Sequence, residues 1–298
     1  MSGRPPPHCH VRKWALIGLG SLAGVAALAA AYWVVTERSD AVLEARHTLP
    51  PSAVRVATTP EAIARGAHLT VITACAGCHG EGLTGGMPTV AGSPVAAPNL
   101  TLAAPRLSDA QLDRAIRRGL KPDGTSELAM PSRAYAGFSD DEVAAIVGYL
   151  RSLKPRGTVL ARSKPGLFLR IELLLGLFKT SADSLAAAQP PLDAGPQVSA
   201  GRHLAQVACG QCHGSDLNGG QGLPGPGLSV DGYYSRAQFH TLMRTGEAVG
   251  DGDMELMART ARMSFSHFSD AEIDALYDYL DARDRVQIGS ASKAGARP

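Results

Sequence analysis

Twice in 298 residues the chain places two cysteines three positions apart with a histidine directly after the second: Cys75-Ala76-Gly77-Cys78-His79 and Cys209-Gly210-Gln211-Cys212-His213. At this spacing both thiols can form thioethers to the vinyl groups of one haem, and the neighbouring imidazole reaches the iron as its proximal ligand. With 5 Cys and 9 His in the chain, one such pentapeptide arises by chance in about one chain in four hundred. Two are far rarer. The pair predicts two covalently attached haem c groups, held by Cys75, Cys78, Cys209 and Cys212, with His79 and His213 on the irons.

Two other chemistries use paired cysteines. A zinc ribbon wants its second CxxC about 15–20 residues from the first, and here it lies in another part of the chain. A thioredoxin-type site follows a strand and needs no histidine after the second cysteine, whereas an Ala-rich helical pattern precedes each motif here. Only Cys9 remains, between His8 and His10, and it reads as a free thiol in a tail.

The length predicts two small domains, in agreement with the duplicated motif. Aromatic content is 5%, with 33 Gly and 20 Pro. Domains so poor in large apolar side chains gain most from a buried porphyrin, and without haem each should fold poorly. The net charge of +2 divides unevenly. Residues 59–154 carry nine basic and nine acidic side chains, and residues 197–289 seven basic against twelve acidic, a net of −5. No basic face favours nucleic acid; the acidic module suits a basic redox partner.

The N-terminus is Pro-rich and basic over residues 1–13, with Arg4, Arg12 and Lys13, and is followed by a charge-free run of 22 residues, Trp14–Val35. That length spans a bilayer's hydrocarbon core, with Trp14, Tyr32 and Trp33 as interfacial aromatics and the basic side cytoplasmic. A cleaved signal peptide is the competing reading, with Ala29-Ala30-Ala31 as its cleavage site. The run exceeds the usual apolar core of such a peptide, which favours an uncleaved anchor. Residues 36–58 read as a spacer.

Thr59-Pro60-Glu61 opens a helix that runs through Ile63, Leu69 and Val71 into the first motif, with Gly66 small enough for a close crossing. Ser108-x-x-Gln111 and Ser139-x-x-Glu142 are capping boxes. The first opens a helix to about Arg118; the second opens a terminal helix with Val143, Ile146, Val147 and Leu150 on its apolar face. Residues 155–196 form a linker whose apolar run Gly166–Phe178, broken by Arg170 and Glu172, is too short to span a bilayer. It reads as a helix packed on a domain, ahead of one lying at the membrane surface. Residues 197–289 then repeat residues 59–154. Gly201–Leu204 echoes Gly66–Leu69, Leu217–Gly220 echoes Leu83–Gly86, Ser269-x-x-Glu272 is again a capping box, and Tyr279-Leu280 matches Tyr149-Leu150. Residues 290–298 read as a disordered tail.

The sixth ligand separates a carrier from an enzyme, because methionine opposite histidine gives a low-spin, raised-potential haem. Met130 lies 11 residues after Gly119, and Met257 lies 11 after Gly246; these are the preferred ligands. Met87 competes at the first site, and Met263, Met254 and His267 at the second. Pro98 and Pro226 are candidates to supply a carbonyl to the other ring nitrogen of each ligating histidine, with a plain turn role as the alternative. His68 and His203 occupy equivalent places in the leading helices and read as solvent-facing or packed.

Helix, CxxCH, Pro-Asn-Leu loop, Met-Pro and a capped terminal helix ending in Tyr-Leu: in this order the residues resemble class I, mitochondrial-type cytochrome c. The duplicated form resembles the membrane-anchored dihaem cytochromes c of bacteria, including cytochrome subunits that accompany periplasmic dehydrogenases. The resemblance implies an all-α fold, with an N-terminal transmembrane helix and two tandem class I domains. It also implies haem attachment in the periplasm, on the outer face of the bacterial inner membrane. The implied function is electron transfer from a donor dehydrogenase or quinol-linked complex to a terminal acceptor, with a dehydrogenase, a small cytochrome or a terminal oxidase as partner. A dihaem enzyme of peroxidase or thiosulfate-oxidising type is the alternative, and would leave one sixth position open or held by another residue.

Overall fold

The computed structural model describes residues 8–162, 164–219, 225–250 and 254–295, with the side chains of residues 8–19 and 290–295 outside the description. The environments of Cys9 and Trp14 therefore lie outside it. The first helix, α1, runs His8–Leu43 and is longer at both ends than the span expected from sequence. No glycine or proline interrupts residues 25–43, and the Thr36 and Ser39 hydroxyls bond back to carbonyls one turn earlier, so the helix continues into the expected spacer. Its stretch Gly20–Leu43 is long and apolar enough to cross a membrane. The rest of that spacer is a strap laid on the first haem-motif lobe. His47 N–H donates to Gly124 O at 2.8 Å, Val56 N–H to Asp109 Oδ2 at 2.8 Å and Ala57 N–H to Ala144 O at 3.2 Å, and Val54 is buried.

In this lobe α2 (Pro60–Ile72) starts on the Thr59 hydroxyl, which accepts from Ala62 N–H at 3.2 Å. It ends where α3 (Cys75–His79) carries the motif. A small hairpin, β1 (Thr89–Val90) with β2 (Ser93–Pro94), precedes α4 (Leu100–Ala103), whose N-cap is Asn99. The Ser108 box opens α5 (Asp109–Asp113), prolonged by a wide turn over Arg114–Arg118 and stopped at left-handed Gly119. After α6 (Ser132–Tyr135), the Ser139 box opens α7 (Asp140–Ser152). α7 crosses α2 at Gly66, where a Cβ would stand 2.0 Å from Ala145 O.

The linker holds α8 (Leu167–Leu174) and α9 (Ser181–Ala186). The expected apolar helix is α8, and it packs against the base of α1 and the hairpin. The second lobe begins with α10 (Ser199–Leu204), prolonged by a wide turn over Ala205–Cys209 into α11 (Gly210–His213). α12 (Arg236–Thr245) stops at left-handed Gly246, α13 (Glu255–Met263) follows, and α14 (Asp270–Gly295) closes the chain. Residues 290–295, expected as part of a disordered tail, continue α14. Residues 296–298 lie outside the described chain. α14 crosses α10 at Gly201, where a Cβ would stand 1.8 Å from Ala275 O.

Buried side chains of both lobes join in one apolar cluster. Across the boundary the contacts come in crossed pairs. His68 on α2 bonds Glu272 on α14 at 2.8 Å, and His203 on α10 bonds Glu142 on α7 at 2.9 Å. Sequence reading placed both histidines on solvent or in packing; their partners are carboxylates of the opposite lobe.

Candidate haem sites

Each motif histidine is oriented by a proline carbonyl. His79 Nδ1 lies 2.9 Å from Pro98 O and His213 Nδ1 lies 2.8 Å from Pro226 O. A carbonyl only accepts, so Nδ1 carries the proton and the Nε2 lone pair is left for a metal. Burial lowers both imidazole pKa values, which keeps the rings neutral and able to ligate. Sequence alone leaves Pro98 and Pro226 open between this role and a plain turn.

The turn that follows each histidine is built alike. Gly80 and Gly214 take φ of 73° and 83°. Gly85 N–H donates to His79 O at 2.7 Å, and Gly219 N–H to His213 O at 3.0 Å. Leu83 and Leu217, buried in their lobes, adopt φ of 60° and 62°, a left-handed conformation costly for a bulky residue and kept at both copies. Behind each motif the chain passes so close that only glycine fits. A Cβ on Gly86 would lie 2.3 Å from Cys78 O, and one on Gly225 2.4 Å from Cys212 O.

The four motif cysteines are unpaired thiols, Cys78 exposed and the others half-buried. Burial pushes all four pKa values up, Cys209 to about 12. A redox dithiol needs a lowered pKa, so these groups do not suit that chemistry. Nor, among the described residues, do three or more His, Cys, Asp or Glu side chains gather as a metal-ion site, so the zinc alternative lacks its remaining ligands. Neutral thiols beside an imidazole with a free Nε2 fit haem c.

Of the candidate methionines, Met130 and Met257 pack half-buried against the core, whereas Met87 and Met263 are 51% and 53% exposed. His267 is exposed, and Met254 has its sulfur 3.9 Å from the Tyr234 hydroxyl. Met130 follows an irregular loop and Met257 sits on α13, the helix formed where the second lobe has three extra residues before Phe268. Both Met segments are closed by an arginine that sequence reading missed. Arg117 donates to Phe138 O at 3.1 Å and pairs with Asp140 at 2.7 Å; Arg244 donates to Phe268 O and pairs with Asp270 at 2.6 Å. The signal was there: an arginine two residues before each left-handed glycine, and Phe-Ser-Asp at each terminal helix.

A CxxCH turn with a proline carbonyl behind its imidazole, a methionine segment and a glycine-crossed helix pair define a c-type haem protein. The cytochrome c family model matches residues 63–154 and again 198–283, and the chain belongs to the cytochrome c family. Curated relatives are the cytochrome c subunits of alcohol dehydrogenase (quinone) from Gluconacetobacter polyoxogenes and Komagataeibacter europaeus. Each is 22% identical over 270 residues, covering 76% of this chain and 57% of the relative. The chain spans little more than half the length of these relatives.

Proposed function

We propose that the chain is a membrane-tethered electron carrier with two haem c groups, one in each of two domains, 59–154 and 197–289. Cys75 and Cys78 would tether the first haem, ligated by His79 and Met130. Cys209 and Cys212 would tether the second, ligated by His213 and Met257. The observation that carries this reading is the twice-made imidazole with Nδ1–H fixed on a proline carbonyl. When bound, haem supplies one-electron exchange between ferric and ferrous iron. The chain's part is to hold a neutral nitrogen donor in one orientation and to bring up a neutral thioether on a clamped segment, which favours a potential raised by methionine.

α1 supports a single-pass anchor in the bacterial inner membrane, with both haem domains in the periplasm. Likeness to cytochrome subunits of quinone alcohol dehydrogenases supports a dehydrogenase as electron donor, with a small cytochrome or terminal oxidase as acceptor. The test is the ferric optical spectrum of the holoprotein in its far-red sulfur-to-iron band, beside Met130→Ala and Met257→Ala. Each substitution should remove one haem's share of the band and leave that haem high-spin. A haem already high-spin before mutation, or no change in Met257→Ala, would favour the dihaem enzyme instead.

A further inference from the structure

α8 is apolar on two faces, and the protein covers one. Inward, Leu169 and Leu173 are buried, and Arg170 Nη1 reaches α1, donating to Thr36 O at 3.2 Å, Ser39 Oγ at 2.6 Å and Asp40 Oδ1 at 2.7 Å. Gly166 N–H donates to Ser93 Oγ at 3.1 Å, which ties the start of α8 to the hairpin of the first lobe. Outward, Phe168 is 62% exposed on α8 with Leu167, Ile171 and Leu174 beside it, and in the turn that follows the helix Leu175 is 66% and Leu177 68% exposed. An apolar stripe facing outward marks a contact still to be made.

The place of α8 in the fold selects what that contact is. Residues 20–34 of α1 are exposed, with Tyr32 and Trp33 at the end of that stretch, and burial begins at Val35. Arg170 grips α1 at Thr36–Asp40, a rise of about 10 Å at most beyond Trp33. That places α8 within about two helical turns of the level where a spanning α1 would leave the hydrocarbon. Exposed cations flank it, Arg162 and Lys164 before the helix and Lys179 after. An apolar face between cations is the pattern of a helix lying in the headgroup layer of an anionic membrane.

We propose that α8 lies in the bilayer surface beside the exit of α1, Phe168, Leu175 and Leu177 entering the acyl boundary and Lys164 and Lys179 meeting lipid phosphates. This rests on reading α1 as a membrane span. Because α8 is bonded to both α1 and the hairpin, the second contact sets the height and tilt of the first lobe above the membrane.

The test is carbene footprinting of the full-length holoprotein in vesicles of phosphatidylcholine and phosphatidylglycerol, with a photoreactive acyl chain in one arm and a water-soluble carbene reagent in the other. Lipid adducts are expected on residues 14–35 and also on 166–178, with 166–178 shielded from the water-soluble reagent. In Leu175→Glu/Leu177→Glu, changed only at exposed positions, the lipid adducts on 166–178 should be lost while the haem spectrum and the α1 adducts stay unchanged. Lipid adducts on α1 with water-soluble labelling of 166–178 would overturn the proposal, leaving that face to water or a protein partner, and would leave the anchor standing. Absence of adducts from 14–35 would overturn the anchor itself, and this proposal with it.

Discussion

The two lobes build the same histidine cradle and differ in what lies over it. In the first, the segment leading to Met130 is covered from outside. The strap bonds Gly124, Ser181 N–H donates to Glu127 O at 3.0 Å, and Ala182 N–H donates to Ser126 Oγ at 2.9 Å. In the second, Met257 sits on a helix of its own with Leu256 and Met263 exposed beside it. The histidine side follows the same division, His79 buried and His213 half-buried. The backbone bonds and left-handed turns around the motif histidine are therefore what the two lobes keep in common. The outer face of the methionine segment can be covered by whatever chain adjoins it, and in the first lobe that chain is the strap after α1 and the linker.

The loop behind the motif shows the sharpest difference and the largest expected effect. Where α7 ends at Ser152, the first lobe uses Asn99, whose Nδ2 donates to Arg156 O at 2.7 Å and whose Oδ1 accepts from Thr101 N–H at 3.0 Å. α14 runs on instead, and buried Arg283 donates to Leu228 O at 2.6 Å, Leu217 O at 3.0 Å and Asn218 Oδ1 at 2.6 Å. Its neighbour Asp284, also buried, accepts from Val230 N–H at 2.8 Å and Asp231 N–H at 3.0 Å. Arg283→Met removes the cation and leaves these acceptors unpaired beside a buried carboxylate, at a cost of about 3–5 kcal/mol. Asn99→Ala should cost about 1–3 kcal/mol. Denaturant midpoints of the holoproteins check both, and equal losses would break the comparison.

The helix crossings sharpen it from the other side, because there the lobes should behave alike. Gly66→Ala and Gly201→Ala each drive a methyl into a carbonyl of the partner helix, so each should destabilise its lobe by about 1–3 kcal/mol. Gly289→Ala, on α14 with open space around the new Cβ, is the control. A loss at only one crossing would show that one helix pair can slide apart and the other cannot.

What the sequence made legible was local. CxxCH, the Ser-x-x-Glu boxes and Gly66 each declare a constraint that a few neighbouring residues satisfy, and the structure places each where that constraint acts. Ser235-x-x-Gln238, the capping box of α12, carries the same signal. The unread part was long-range. Periodicity shows that His68 and His203 lie on helices but not what stands opposite, and a carboxylate 204 residues away in sequence leaves no local trace. Arg283 was silent for the same reason: an arginine in a helix reads as solvated until burial removes its water. The strap was unread because extended chain bonded edge-on to a lobe has neither the helical nor the alternating pattern that sequence reading detects.

The crossed His–Glu pairs give the smallest expected effect and test whether the lobes face one another symmetrically. Glu142 is nearly buried; besides His203 it meets Arg65 at 3.3 Å and accepts from its own cap at Ser139 N–H, at 2.9 Å. Its bonds to His203 and Ser139 outweigh burial and hold its pKa down to about 2. Glu272 has a more exposed side chain and pairs with His68 and its own Ser139-like cap at Ser269, with its pKa also lowered. Glutamine keeps an amide oxygen for the cap and removes the charge, which at Glu142 faces Arg65 of its own lobe as well as His203 across the boundary. Glu142→Gln should therefore cost about 1–2 kcal/mol and Glu272→Gln about 0.5 kcal/mol. A carboxylate held below its ordinary value stabilises the fold above the unfolded pKa of about 4.5, and that contribution fades as pH falls towards 2. The denaturant midpoint of the wild type should drop over this window, and Glu142→Gln should flatten the drop more than Glu272→Gln. Identical pH profiles for the two variants would show that the boundary is symmetric in energy despite its unequal burial.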